Sequence, residues 1–181
     1  MALSMNAANK LTLFRILLIP FFVILLIYDY IAGALFIFGL ASASDAMDGF
    51  IARTWNQKTR LGSFLDPMAD KALLSASFVT LAILHFVPCW LAVITISRDL
   101  IIVLGALIVY ILTGNVNFSP TLLGKTTTAV QILTILTVLL SHQFQKIRLC
   151  MPLFIWLTCI CTAASGFQYL YIGMEMFNET S

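Results

Sequence analysis

Charge is what this sequence lacks most. Of 181 residues only ten are Lys or Arg and eight are Asp or Glu, 10% in all, where a soluble domain carries about 25%. With 61% hydrophobic residues, a chain of this length cannot hide its apolar surface from water. The mean hydropathy of +1.00 points the same way and makes hydrocarbon the expected main solvent. A net charge of +2 is too small to argue for nucleic acid, and the composition excludes a disordered or collagen-like chain. Cysteine is also sparse. Cys89, Cys150, Cys159 and Cys161 show no C-x-x-C spacing and no neighbouring histidine, which argues against zinc or a disulfide framework and leaves packing as their expected role. The two histidines, His85 and His142, fall near the ends of apolar runs and are expected to be ordinary interface residues. The first apolar run, beginning after Arg15, is too long for the core of a cleavable leader and reads as a retained span.

What is present in abundance is apolar sequence, in six stretches. They cover roughly 12–29, 31–52, 64–86, 90–112, 122–141 and 150–172, each about the 20 residues that one helical crossing needs. Continuous runs such as Phe21-Phe22-Val23-Ile24-Leu25-Leu26-Ile27 do not alternate as barrel strands must. The expectation is an all-α polytopic membrane protein, a single domain over 1–181, with six transmembrane helices and a possible short interfacial helix near residues 2–10. Lys10, Arg15, Arg53, Lys58, Arg60, Lys71 and Lys125 belong to one side of that arrangement, and Lys146 and Arg148 to the other. Retention of basic residues in the cytoplasm then places both termini and the 53–62 and 113–124 loops there. Small residues cluster at Ala41-Ser42-Ala43-Ser44 and Thr162-Ala163-Ala164-Ser165-Gly166, where close helix packing is the expected use.

Against this background four acids stand out. Asp45 and Asp48 end the second stretch, and Asp66 and Asp70 begin the third. Separations of three and four residues put side chains on one face of a helix. With the two helices expected as antiparallel neighbours, the four carboxylates can meet near the cytoplasmic surface. In a partly dehydrated place they would repel one another unless protonated or held by cations. A solvated helix end, or partnership with Arg53 or Lys71, would explain any one of them but not all four. All-oxygen ligation selects hard ions, Mg²⁺, Mn²⁺ or Ca²⁺, and two such ions form a clamp suited to displacement at phosphorus.

From Asp45 to Asp70 the sequence reads D-x2-D-G-x2-A-R-x8-G-x3-D-x3-D. This resembles the signature of the CDP-alcohol phosphatidyltransferases at every fixed position. Asn9-Lys10-Leu11-Thr12-Leu13-Phe14-Arg15 resembles the N-x-x-T-x-x-R element with which many members begin, although Ala8 stands where they often have proline. The resemblance implies Asp45, Asp48, Asp66 and Asp70 as ligands of two Mg²⁺ or Mn²⁺ ions, with Asp70 also the general base. It implies contacts to CDP-diacylglycerol from Asn9, Thr12, Asp48, Gly49, Ala52, Arg53 and Gly62, the small residues letting the nucleotide lie against helix backbone. It further implies a homodimer, and a bacterial inner membrane as the site of action.

The acceptor is less constrained. Arg98 and Asp99 lie inside the fourth stretch and Lys125 opens the fifth. They are either a structural ion pair with a neighbour, or, with Arg15 and Lys71, a basic pocket for an anionic alcohol, since guanidinium groups suit phosphate. Glycerol 3-phosphate is the favoured acceptor. Phosphatidylglycerol, used by cardiolipin synthases of the same superfamily, is the alternative, suggested by the resemblance of Ser97-Arg98-Asp99, Ser119-Pro120-Thr121 and Thr162-Ala163-Ala164-Ser165 to that group. A small cation-coupled transporter using the acids as its ion path is the alternative of another class.

Overall fold

A computed structural model describes the backbone of residues 7–55, 62–113 and 121–179, and the side chains of 13–44, 69–105, 121–172 and 174. Each of the six apolar stretches becomes a helix, and the described residues contain no strand. The helices are α1 (Ala7–Ile27), α2 (Ile31–Trp55), α3 (Gly62–Ile83), α4 (Cys89–Thr113), α5 (Leu122–Gln143) and α6 (Met151–Glu179), with a 3-10 turn at Ile147–Cys150 before the last. Hydropathy set the expected bounds, and the helices overrun them where polar residues follow on. α1 takes in Ala7-Ala8-Asn9-Lys10, so residues 7–10 of the expected interfacial segment are the first turn of α1, and 2–6 lie outside the described residues.

The links α1–α2 and α3–α4 are three to five residues long and end their helices in the same way. Asp29 and His85 adopt left-handed φ values of 61° and 58°. Tyr30 N–H then reaches back to Leu25 O, and Phe86 N–H to Leu81 O, each at 2.8 Å. This is the Schellman arrangement, in which one left-handed residue lets the chain reverse while the last carbonyls stay paired. Pro88, which cannot continue α3, accepts from Leu91 N–H as α4 begins.

Among the described residues the helices form a ring in the order α1, α2, α5, α6, α4, α3, with α3 and α5 also touching across it. α1 packs on both α2 and α3; the approach of α2 to α3 that the sequence suggested would run through 45–55 and 62–68, whose side chains lie outside the described residues. Phe22 of α1 and Phe38 of α2, both fully buried, meet with ring centroids 5.6 Å apart.

An apolar core that includes Leu26, Phe38, Phe78 and Leu139 is buried, yet the bundle also exposes large apolar side chains and buries many polar ones. Leu17, Phe21, Phe36, Val93, Ile160 and Phe167 face outward, while Arg15, Ser77, Thr127, Gln131, Thr134, Thr158, Thr162 and Ser165 are buried. Between α5 and α6 the buried hydroxyls form a seam. Thr134 and Thr158 share a 2.6 Å hydrogen bond, Gln131 Nε2 donates to Thr162 Oγ1 at 3.4 Å, and Thr127 Oγ1 lies 3.1 Å from Cys161 O. Such bonds hold helices together where no hydrophobic drive separates protein from lipid. The small clusters serve packing as expected: Ala41, Ser44, Thr162, Ser165 and Gly166 are buried. Among the described residues two helical segments, Leu122–Gln143 and Ile147–Ile172, are long and apolar enough to cross a membrane. All four thiols are free; Cys159 and Cys161 are half-buried, whereas Cys89, the first residue of α4, and Cys150, the last of the 3-10 turn, are exposed rather than packed, because they sit at the links between helices.

Candidate active site

α3 carries the centre of the site. Its residues 70 and 71 are consecutive, about 100° apart around the helix axis, and they point at different neighbours. Asp70 turns toward α1, where the guanidinium of Arg15 donates through Nη1 to Asp70 Oδ1. Arg15 is 0% exposed, whereas the Asp70 side chain is 32% exposed. A fully buried guanidinium needs a counter-charge, and Asp70 supplies it while keeping a face open to ligand.

Lys71 turns toward α4. Its Nζ lies 3.9 Å from Asp99 Oδ1, and the same oxygen accepts from Arg98 Nη1 at 2.7 Å. The rest of the Arg98 fork faces α6. Nη2 and Nε reach Ser165 Oγ at 2.8 and 3.2 Å, and the guanidinium carbon is 5.7 Å from the centroid of the Tyr169 ring. Arg98 is 6% exposed, so these contacts fix its orientation. Tyr169 OH in turn accepts from Thr121 N–H at 3.4 Å, and Thr121 caps α5 by accepting from Gly124 N–H at 3.0 Å. Gly124 is where three elements meet. A Cβ there would stand 2.9 Å from Tyr169 OH, 3.2 Å from Thr121 Oγ1 and 3.5 Å from Arg98 Nη2. Lys125, the next residue, is exposed and makes no ion pair among the described residues.

The structure thus gathers Lys71, Arg98 and the start of α5 with Lys125 on one flank of α3. It places Arg15 on the other flank, against Asp70. Asp45 and Asp48 lie on α2 and Asp66 on α3, one turn before Asp70, so both pairs keep their helical spacing. Their side chains, with those of Asn9, Thr12, Gly49, Ala52, Arg53 and Gly62, lie outside the described residues. As a donor set, four carboxylates at i, i+3 and i, i+4 on helices suit hard divalent cations and no softer metal. Ser165 belongs to the small-residue cluster for which packing was expected, and its contact with Arg98 goes beyond that; Tyr169 carries no motif and was not anticipated from the sequence. Only the tolerance of α6 for polar residues among apolar ones hinted at them.

Comparison with known proteins identifies the frame. Residues 5–164 match the family model described as CDP-alcohol phosphatidyltransferase. The chain is 35% identical to the CDP-diacylglycerol–glycerol-3-phosphate 3-phosphatidyltransferase of Bacillus subtilis (strain 168), over 97% of this chain and 99% of that protein. It is 44% identical to the Escherichia coli (strain K12) protein of the same name, over 55% of this chain and 58% of that one. The human cardiolipin synthase (CMP-forming) is 34% identical over 92% of this chain and 61% of its own length.

Proposed function

The chain belongs to the CDP-alcohol phosphatidyltransferase family, and from that premise we propose that it moves the phosphatidyl group of CDP-diacylglycerol to glycerol 3-phosphate, giving phosphatidylglycerophosphate and CMP. The observation that carries this reading is the layout of α3. A partly exposed carboxylate, Asp70, and a cation, Lys71, stand on consecutive residues, the second linked through Asp99 to the buried Arg98. A transfer to an anionic alcohol needs a base for the hydroxyl and positive charge for the phosphate within one substrate's length.

In this mechanism CDP-diacylglycerol lies along α2 and the start of α3, with Gly49, Ala52 and Gly62 leaving room for the nucleotide and Arg53, Asn9 and Thr12 contacting it. Asp45, Asp48, Asp66 and Asp70 would hold two Mg²⁺ or Mn²⁺ ions, whose charge would offset that of the diphosphate oxygens. Lys71 and Lys125 receive the phosphate of glycerol 3-phosphate, and Arg98, locked by Asp99 and Ser165, adds fixed positive charge behind them. Asp70, steadied by Arg15, accepts the proton as the acceptor oxygen bonds to the phosphorus bearing diacylglycerol. The bond from that phosphorus to the CMP oxygen breaks, and CMP departs.

The family is one of membrane-embedded enzymes, and we take all six helices as crossing the bilayer. Both termini and the aspartates are assigned to the cytoplasmic side of a bacterial inner membrane, and the assembly to a homodimer. The many exposed apolar side chains, with hydroxyls buried between α5 and α6, support the crossing. A second acceptor, phosphatidylglycerol, has the human relative in its favour; a cation carrier has no feature left to recommend it. The deciding experiment is CMP release by purified protein offered glycerol 3-phosphate, phosphatidylglycerol or inositol 1-phosphate. Glycerol 3-phosphate should support the fastest release, and a clear preference for phosphatidylglycerol would replace this reading with the second.

A further inference from the structure

The other end of the bundle carries a concavity that the transfer reaction does not use. One cavity of about 540 Å³ lies between the α3–α4 link, the start of α4 and the start of α6. A second, of about 510 Å³, lies between that link and the end of α5. Both are walled by His85, Phe86, Arg148 and Met151, so they adjoin along that seam. The first half is apolar beyond the seam, closed by Val87, Pro88, Ile155 and the tryptophans Trp90 and Trp156, whose rings pack at 5.8 Å. The second half is polar, with Ser141, His142, Gln143 and Gln145, and His142 rests on the Phe86 ring at 3.9 Å between centroids.

Arg148 stands exposed at the seam with no acidic partner among the described residues. No Asp or Glu lines either cavity; Asp29, on the α1–α2 turn of the same end, belongs to neither. Met151 and Ser165 are fourteen positions apart on α6, about 21 Å along the axis, so this site is separate from the Arg98 cluster.

A pocket that is apolar on one side, polar on the other and cationic where the halves meet has the polarity of an amphiphile with an anionic head. We propose that it binds a membrane phospholipid of the leaflet opposite the aspartates, with the phosphate at Arg148 and an acyl chain against Trp90 and Trp156. Tryptophan at the level of the headgroups fits this placement, as does attraction of a basic side chain to anionic lipid. The inference rests on the reading that the helices cross a bilayer.

Tryptophan fluorescence tests it. The chain has three tryptophans, and Trp55→Phe leaves only Trp90 and Trp156 to report. The protein is placed in phosphatidylcholine nanodiscs doped with chain-brominated phosphatidic acid or, in parallel, chain-brominated phosphatidylcholine. Phosphatidic acid should quench at about fivefold lower mole fraction, the factor that one basic residue contributes at an anionic surface. Arg148→Gln should erase that difference and Arg148→Lys should keep most of it, while both variants still release CMP. Asp70→Asn should leave the quenching unchanged. Equal quenching by the two lipids, or a difference that survives Arg148→Gln or vanishes in Asp70→Asn, overturns the proposal. So does displacement of the lipid by millimolar soluble glycerol phosphate, which would mark a site for free phosphate monoesters. A protein that fails to enter the nanodiscs at all would instead refute the bilayer reading.

Discussion

Arg15 and Asp70 are 55 positions apart, and their pairing shows what a single residue gains from its surroundings. Asp70 was legible from its spacing to Asp66 alone. Its partner was not, because the contact exists only once α1 lies along α3, and nothing local in residues 9–15 encodes that. Arg15 consequently looked like one more cation for the acceptor, whereas burial gives it a carboxylate to hold. Asp70→Asn should lower CMP release by about a hundredfold or more, the scale of a lost general base, while nucleotide binding in the presence of Mg²⁺ persists in part. Release at the unaltered rate would remove Asp70 from proton transfer. At Arg98 the fork is already shared between Asp99 and Ser165. Arg98→Lys retains the charge but not the fork, and should raise the KM for glycerol 3-phosphate about tenfold. The KM for CDP-diacylglycerol should hold steady, and matched increases in both would show a general distortion instead.

Among the elements, α5 and α6 depend most on polar contacts. The Thr134–Thr158 hydrogen bond at 2.6 Å joins them in mid-helix, and interhelical bonds of this kind contribute about 0.6 kcal/mol on average in membranes. A double-mutant cycle of Thr134→Val and Thr158→Val, read by thermal unfolding in detergent, should return a coupling of about that size, and zero coupling would assign the seam to packing alone. Gly124 offers a sharper test. Its missing Cβ accommodates Tyr169 OH at a distance where no methyl fits, so Gly124→Ala must push α5 and α6 apart or displace the tyrosine. A cost of about 1–3 kcal/mol is expected from such overpacking, measured as a lowered midpoint of denaturation. Helix count and order were readable from apolar run length, and Pro88 marked a break correctly. The ring order was not readable, because it is set by which faces interlock, and helices apolar nearly all round carry little directional signal.

For the molecule as a whole, the distribution of polarity matters more than its amount. The composition announced a hydrocarbon solvent, but only the structure shows that buried hydroxyls sit beside an apolar core while many large aliphatic and aromatic groups face outward. If the four aspartates act through divalent ions, EDTA should abolish CMP release, and Mg²⁺ or Mn²⁺ but not Na⁺ should restore it. Undiminished turnover in excess chelator would count against that role. The signature that suggested the ions was complete in the sequence because it is local, spanning one helix–link–helix unit. The proposed acceptor residues were only half legible, since Lys71, Arg98 and Lys125 come from three helices, and the joining of Lys71 to Arg98 through Asp99 and of Arg98 to Ser165 and Tyr169 is a property of the assembled bundle.

Neighbouring positions 70 and 71 engage α1 and α4 respectively, and this makes α3 an axle with two spokes. A rotation of the α3 backbone that shifts Asp70 against Arg15 therefore also shifts Lys71 against Asp99.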